Sequence, residues 1–72
     1  MSDFDRQEVL RAFSQEFLEA EVQRVKSAAP GTVLYEMDAW ENPGLAEYVL
    51  ETAGITFHVK DDGFVQYIKG EA

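Results

Sequence analysis

The chain has 72 residues, and its 14 acidic and 6 basic side chains give a net charge of −8. This length suits one domain, and the absence of cysteine excludes disulfides and Cys-ligated zinc or iron–sulfur sites. Phosphate binding depends on Lys and Arg, so we expect no direct nucleic-acid binding and no binding to anionic membranes. No apolar run could cross a bilayer, and residues 1–5 lack a signal peptide's basic and apolar regions, so we expect a cytoplasmic protein.

The first predicted element is a long helix. From Asp3 to Ala28 the sequence has no Gly or Pro and is rich in residues of high helix propensity. Ser2 is a candidate N-cap, and Pro30 disfavours helical geometry at the residue before it. We therefore expect one uninterrupted helix from about Asp3 to Ala28.

Two apolar stripes lie at different angles on this predicted helix. The stripe of the first half consists of Val9, Leu10, Phe13, Phe17 and Ala20. The stripe of the second half consists of Leu18, Val22 and Val25. A single small core needs only one stripe. Either the helix drifts across a twisted sheet, or one stripe packs inside and the other packs on a second subunit or a partner. The oligomer interface of a homodimer would then be Leu18, Val22 and Val25.

A strand and a second helix follow. Thr32 to Trp40 alternates with period two, which predicts a strand. Its expected core face consists of Val33, Tyr35, Met37 and Ala39. Asn42-Pro43 is typical of a helix start, and Gly54 is typical of a helix end.

A hairpin completes the chain. Two β-prone segments, 55–60 and 64–69, flank Asp61-Asp62-Gly63. We favour a three-residue loop with Gly63 in the left-handed conformation, which sets Phe57 against Tyr67 and Val59 against Val65. The predicted fold is α+β, a single two-layer domain over 1–72 in the order α-β-α-β-β. The long N-terminal helix and the second, shorter helix lie on one face of a three-stranded antiparallel sheet that includes the strand from Thr32.

We predict no enzyme activity, no catalytic residue, no metal site and no cofactor. His58, the only histidine, lacks an orienting acid or further ligands at a telling spacing. Asp61-Asp62-Gly63 lacks the spaced acids of a calcium loop and is explained by turn formation.

The distribution of charge is the most informative feature. Residues 30–54 contain five acids and no base, whereas residues 1–29 have a net charge of −2 and residues 55–72 of −1. Trp40, a residue type favoured as an interface anchor, lies inside this acidic segment; it suits either the core or an interface. The predicted partner-binding residues are Glu36, Asp38, Trp40, Glu41, Glu47 and Glu51.

These features favour a non-catalytic module that binds a basic protein as an inhibitor or adaptor. If that partner binds nucleic acid, the acidic surface would act as a nucleic-acid mimic. In composition the chain resembles small acidic inhibitors of phages and mobile elements. One alternative is that the acids only keep a small domain soluble. The other is a self-associating structural subunit, a homodimer through the first helix with no inhibitory role.

Overall fold

The protein contains three helices and three strands in a computed structural model that describes residues 6–71. The elements in chain order are α1 (Arg6–Ala12), α2 (Gln15–Ser27), β1 (Val33–Asp38), α3 (Gly44–Ala53), β2 (Phe57–Asp61) and β3 (Phe64–Lys69). The predicted mixed α+β class with a three-stranded antiparallel sheet is confirmed. The predicted cap at Ser2 and helix start at Asp3 lie outside the described residues. No helix between residues 6 and 71 is long and apolar enough to span a bilayer.

The expected long N-terminal helix is instead two helices, and this part of the prediction is wrong. The chain leaves helical geometry at Ser14, whose backbone is extended with φ −70° and ψ 156°. The Ser14 hydroxyl accepts a hydrogen bond from the backbone N–H of Phe17 at 3.1 Å, so Ser14 is the N-cap of α2. A serine with this role ends one helix and starts the next without any Gly or Pro.

β3 is the central strand of the sheet, because the strand order is β1-β3-β2. The strand that follows Thr32 therefore pairs with the hairpin, as predicted. Gly63 has the positive φ, 97°, expected for the turn, but the predicted register is wrong by two residues, since Val59 lies opposite Tyr67. A shift of two keeps every side chain on its predicted face.

A β-bulge changes the faces of β1 at its start. Val33 pairs with Ile68 and Tyr35 with Tyr67, which leaves Leu34 as an extra residue. Leu34 is buried and Val33 is exposed, which reverses the faces predicted for these two residues. Strict alternation from Thr32 cannot reveal a bulge, because an inserted residue shifts the period.

The core is a single cluster that draws side chains from α2, α3, β1 and β3. Its buried members are Val25, Leu34, Ala46, Val49, Leu50 and Tyr67. Tyr35, Met37 and Val65 pack against this cluster, so they lie with Tyr67 on the sheet face that meets the helices, here called the helix face. Residues that alternate with them, such as Glu36 and Gln66, lie on the outer face.

α3 begins and ends close to its predicted bounds. The Asn42 side chain accepts a hydrogen bond from the N–H of Gly44 at 2.9 Å, although the N-cap position itself is Pro43. At the other end, Gly54 has φ 68° and its N–H bonds to the carbonyls of Leu50 and Glu51. This left-handed residue closes the helix as its sequence pattern predicted.

Replacing Ser14 by alanine should lower the free energy of unfolding by about 1 kcal/mol, because the N–H of Phe17 loses its side-chain acceptor. Urea unfolding followed by circular dichroism measures this difference. Ser27→Ala is the matched control, since Ser27 is exposed on the last turn of the same helix. Equal stability of the two variants would contradict a capping role for Ser14.

Candidate protein-binding surface

Trp40 is the most exposed large hydrophobic side chain in the described part of the chain, with 82% of its surface accessible. It lies on a turn that two hydrogen bonds stabilise. The N–H of Glu41 donates to the carbonyl of Asp38 at 3.0 Å, and the N–H of Asp38 donates to the Glu41 carboxylate at 2.8 Å. Of the two roles left open by the sequence, the structure places Trp40 at the surface rather than in the core.

Carboxylates lie on the outer face of the strand that leads into this turn. Glu36 and Asp38 alternate with Tyr35 and Met37 of the helix face, so both project from the opposite side of the sheet. The Glu36 carboxylate accepts a hydrogen bond from the Gln66 side chain at 3.1 Å. Among residues 7–71, neither acid forms an ion pair with Lys or Arg.

Phe64 adds a second aromatic side chain that the sequence reasoning missed. It pairs with Asp38 across β1 and β3, and 41% of its surface is exposed. Detecting it required knowing that β1 pairs with β3, which residue spacing alone does not reveal. We use the name acidic–aromatic surface for Glu36, Asp38, Trp40, Glu41 and Phe64.

The two remaining predicted partner-binding acids lie elsewhere. Glu47 and Glu51 are on α3, whose buried residues pack with Tyr67 on the helix face. Glu47 also acts electrostatically on Tyr67, because its negative charge, second to burial, raises the pKa of that phenol. The structure therefore separates Glu36 and Asp38, on the outer face of the sheet, from Glu47 and Glu51, on a helix that packs against the other face.

The stripe that was a candidate oligomer interface lies on the side of α2 that faces the interior of the protein. Leu18 is 4% exposed and Val25 is fully buried, while Val22 packs against the core cluster. These side chains are thus largely covered within one chain, and no observation in the described residues supports an interface between subunits at Leu18, Val22 and Val25.

The apolar stripe of the first half is the one that stays partly exposed. Leu10 and Phe17 are exposed, and the rings of Phe13 and Phe17 stack with centroids 5.3 Å apart. Val9 is the buried member of this stripe. This stripe crosses the break at Ser14, since Val9 and Leu10 lie on α1 whereas Phe17 and Ala20 lie on α2.

A polar cluster ties α2 to β1 on the helix face. The Tyr35 hydroxyl donates to Glu21 at 2.8 Å, and Arg24 donates to the same Glu21 oxygen at 2.8 Å. Arg24 also donates to the carbonyl of Leu34 and lies 5.0 Å from the centre of the Tyr35 ring. The hydrogen bonds fix the angle between helix and strand, and nothing in this cluster resembles a nucleophile with its base.

The pKa values of this cluster are shifted by burial and hydrogen bonding. Burial, followed by the hydrogen bond to Glu21, raises the pKa of Tyr35 to about 12. The hydrogen bond from Arg24 is the main reason that the pKa of Glu21 lies below its usual 4.5. At neutral pH Glu21 is thus ionised and Tyr35 neutral, the forms in which both hydrogen bonds exist.

His58 lies exposed on β2. In the part of the chain that the structure describes, no three His, Cys, Asp or Glu side chains are grouped so that they could hold a metal ion. Asp61 accepts a hydrogen bond from the N–H of Gly63 at 3.2 Å, which gives this acid a part in the turn.

Comparisons with protein-family models, with curated proteins and with solved structures found no match to this chain.

Tyr35→Phe should reduce the loss of stability that the protein suffers at alkaline pH. Because the pKa of Tyr35 is raised from 10.0 to about 12, its contribution is complete below pH 10 and is lost as pH rises towards 12. Urea unfolding over that interval should show a smaller decline for the variant, with Tyr67 accounting for part of what remains. Ultraviolet titration of tyrosinate should also lose its component near pH 12. An unchanged titration curve would contradict the assignment.

Proposed function

We propose that this protein is a non-catalytic binding module that engages a basic protein through the acidic–aromatic surface. The observation that carries the proposal is Trp40, 82% exposed on a turn fixed by two hydrogen bonds, next to carboxylates that have no cationic partner among residues 7–71. Tryptophan is the residue type most enriched among side chains that dominate interface affinity.

The rigidity of the turn supports binding. Ordering a flexible loop opposes association, because conformational entropy is lost on binding. Here Glu41 already fixes both backbone groups of Asp38, so Trp40 occupies a defined turn position before any partner arrives. Phe64, opposite Asp38 on the central strand, adds a second partly exposed aromatic side chain.

The charge around these aromatics favours a basic partner. The strand neighbours of Glu36 and Asp38 on β3 are Gln66 and Phe64, which carry no charge. The negative potential is therefore not neutralised locally, and it accelerates encounter with a positively charged surface. The carboxylates attract a basic partner at long range, and the exposed aromatic side chain supplies apolar surface that is buried on contact.

A nucleic-acid-binding protein fits this chemistry best. Such proteins carry Lys and Arg side chains that contact phosphates, and carboxylates can occupy those positions in place of phosphate. The bound module would then block access to nucleic acid and act as an inhibitor. If it binds away from the nucleic-acid site, it acts as an adaptor.

The test compares two double charge reversals that change the net charge equally. Glu36→Lys with Asp38→Lys should abolish capture of the partner from extracts of the source organism, because it reverses the acidic–aromatic surface. Glu47→Lys with Glu51→Lys is the matched control and should retain capture, since these residues lie on α3. Quantitative mass spectrometry of the captured proteins, with circular dichroism of each variant, measures the outcome.

Trp40→Ala should weaken binding of the captured partner by about 2 kcal/mol or more, the size of effect typical of a central interface residue. Fluorescence of this sole tryptophan provides a direct titration for the parent protein.

Equal loss of capture by both double reversals would contradict the proposal, because overall charge would then explain binding. An association rate independent of salt would contradict it as well.

A further inference from the structure

The two edges of the sheet differ in how their backbone groups are used. On β1, Glu41 bonds the N–H and C=O of Asp38 at one end, and Arg24 bonds the carbonyl of Leu34 beside the bulge at the other. On β2, every residue is exposed. Within the described residues, no hydrogen bond from outside the sheet reaches Phe57 or Val59. β1 is therefore a protected edge and β2 is an open one.

The hydrogen-bond pattern identifies the free groups of β2. Both backbone groups of Lys69 bond towards β1, to Thr32 and Gly31, whereas the N–H of Gly70 donates to Thr56 at 2.8 Å. Because antiparallel pairs alternate, His58 and Lys60 bond to β3, and Phe57, Val59 and Asp61 point their N–H and C=O groups away from the sheet.

The same residues place apolar side chains on the helix face of the open edge. Phe57 and Val59 lie on that face with Tyr67, and the rings of Phe57 and Tyr67 are 5.9 Å apart. Phe57 is 38% exposed and Val59 is 50% exposed. An added strand would satisfy the free backbone groups and cover both side chains at once.

We propose that β2 pairs antiparallel with β2 of a second copy, so that the two sheets join into one continuous sheet in a symmetric dimer. Among the residues of β2, the register that best matches apolar with apolar sets Phe57 opposite Val59 of the other copy, twice by symmetry. Both are outward-facing residues, so these pairs are the hydrogen-bonded ones, and His58 meets His58 of the other copy on the two-fold axis.

Charge favours a second copy at this edge and not at the other one. β2 carries one base, Lys60, and one acid, Asp61, whereas β1 carries two acids and no base. Pairing through β2 leaves the two β1 strands five strand spacings apart, roughly 24 Å. That separation is well beyond the screening length of about 8 Å at physiological salt, so the acids of β1 do not oppose this dimer.

Cysteine cross-linking tests the register directly, because the natural chain has no cysteine. Cα atoms at a non-hydrogen-bonded antiparallel pair are about 4.5 Å apart, within the range that a disulfide spans. His58→Cys should therefore form a covalent dimer under mild oxidation. Lys60→Cys, also exposed on the same face of the same strand, should stay monomeric because residue 60 lies opposite Thr56 of the other copy.

A second comparison uses sedimentation velocity of the parent protein and of single lysine variants at concentrations up to about 1 mM. Val59→Lys should abolish the dimer. Val33→Lys should retain it, because this partly exposed valine lies on β1. A parent protein that is monomeric throughout, equal association of both lysine variants, or cross-linking through Lys60→Cys in place of His58→Cys would overturn the proposal.

Discussion

The fold depends on β3, because this one strand connects elements that are far apart in the sequence. It pairs with β1 on one side and β2 on the other, and Tyr67 contributes its ring to the core. Lys69 extends this role beyond the sheet, since its ammonium group donates to the carbonyls of Val25 and Lys26 at 2.6 and 2.8 Å. A cation at the last turn of α2 satisfies carbonyls that have no partner within the helix and complements the helix dipole.

The sequence predicted the kinds of elements better than their interruptions. Gly54 and Gly63 were identified because a positive φ requires glycine. The break at Ser14 went undetected because serine, although it is favoured at N-caps, also occurs inside helices. The two apolar stripes did not locate the break, because the first stripe continues past Ser14 to Phe17 and Ala20 on α2. Period-two alternation likewise missed the bulge at Leu34, since it assumes that no residue is inserted.

Of the candidate site, the residue types could be predicted but their grouping could not. The acids of residues 36–51 were evident from the absence of Lys and Arg in that segment. Only the pairing of strands shows that Glu36 and Asp38 share a face with Phe64 while Glu47 faces the other side. Contacts between residues 26 positions apart, as for Asp38 and Phe64, are set by tertiary packing and leave no local pattern.

The exposure of large apolar side chains at the surface also constrains the function of this protein. A domain of this length buries a smaller fraction of its unfolded surface than a larger domain does and is correspondingly marginal in stability, yet Trp40, Val59 and Phe57 are left in contact with water. Full burial of one such side chain is worth about 1.5–3 kcal/mol, a large part of the stability of a small domain. Folding alone does not explain this exposure. Each of these side chains lies on a backbone that is already ordered, by the Asp38–Glu41 turn or by pairing with β3. A partner that covers them would gain the hydrophobic term while ordering little of this chain, which is the condition under which small surfaces bind.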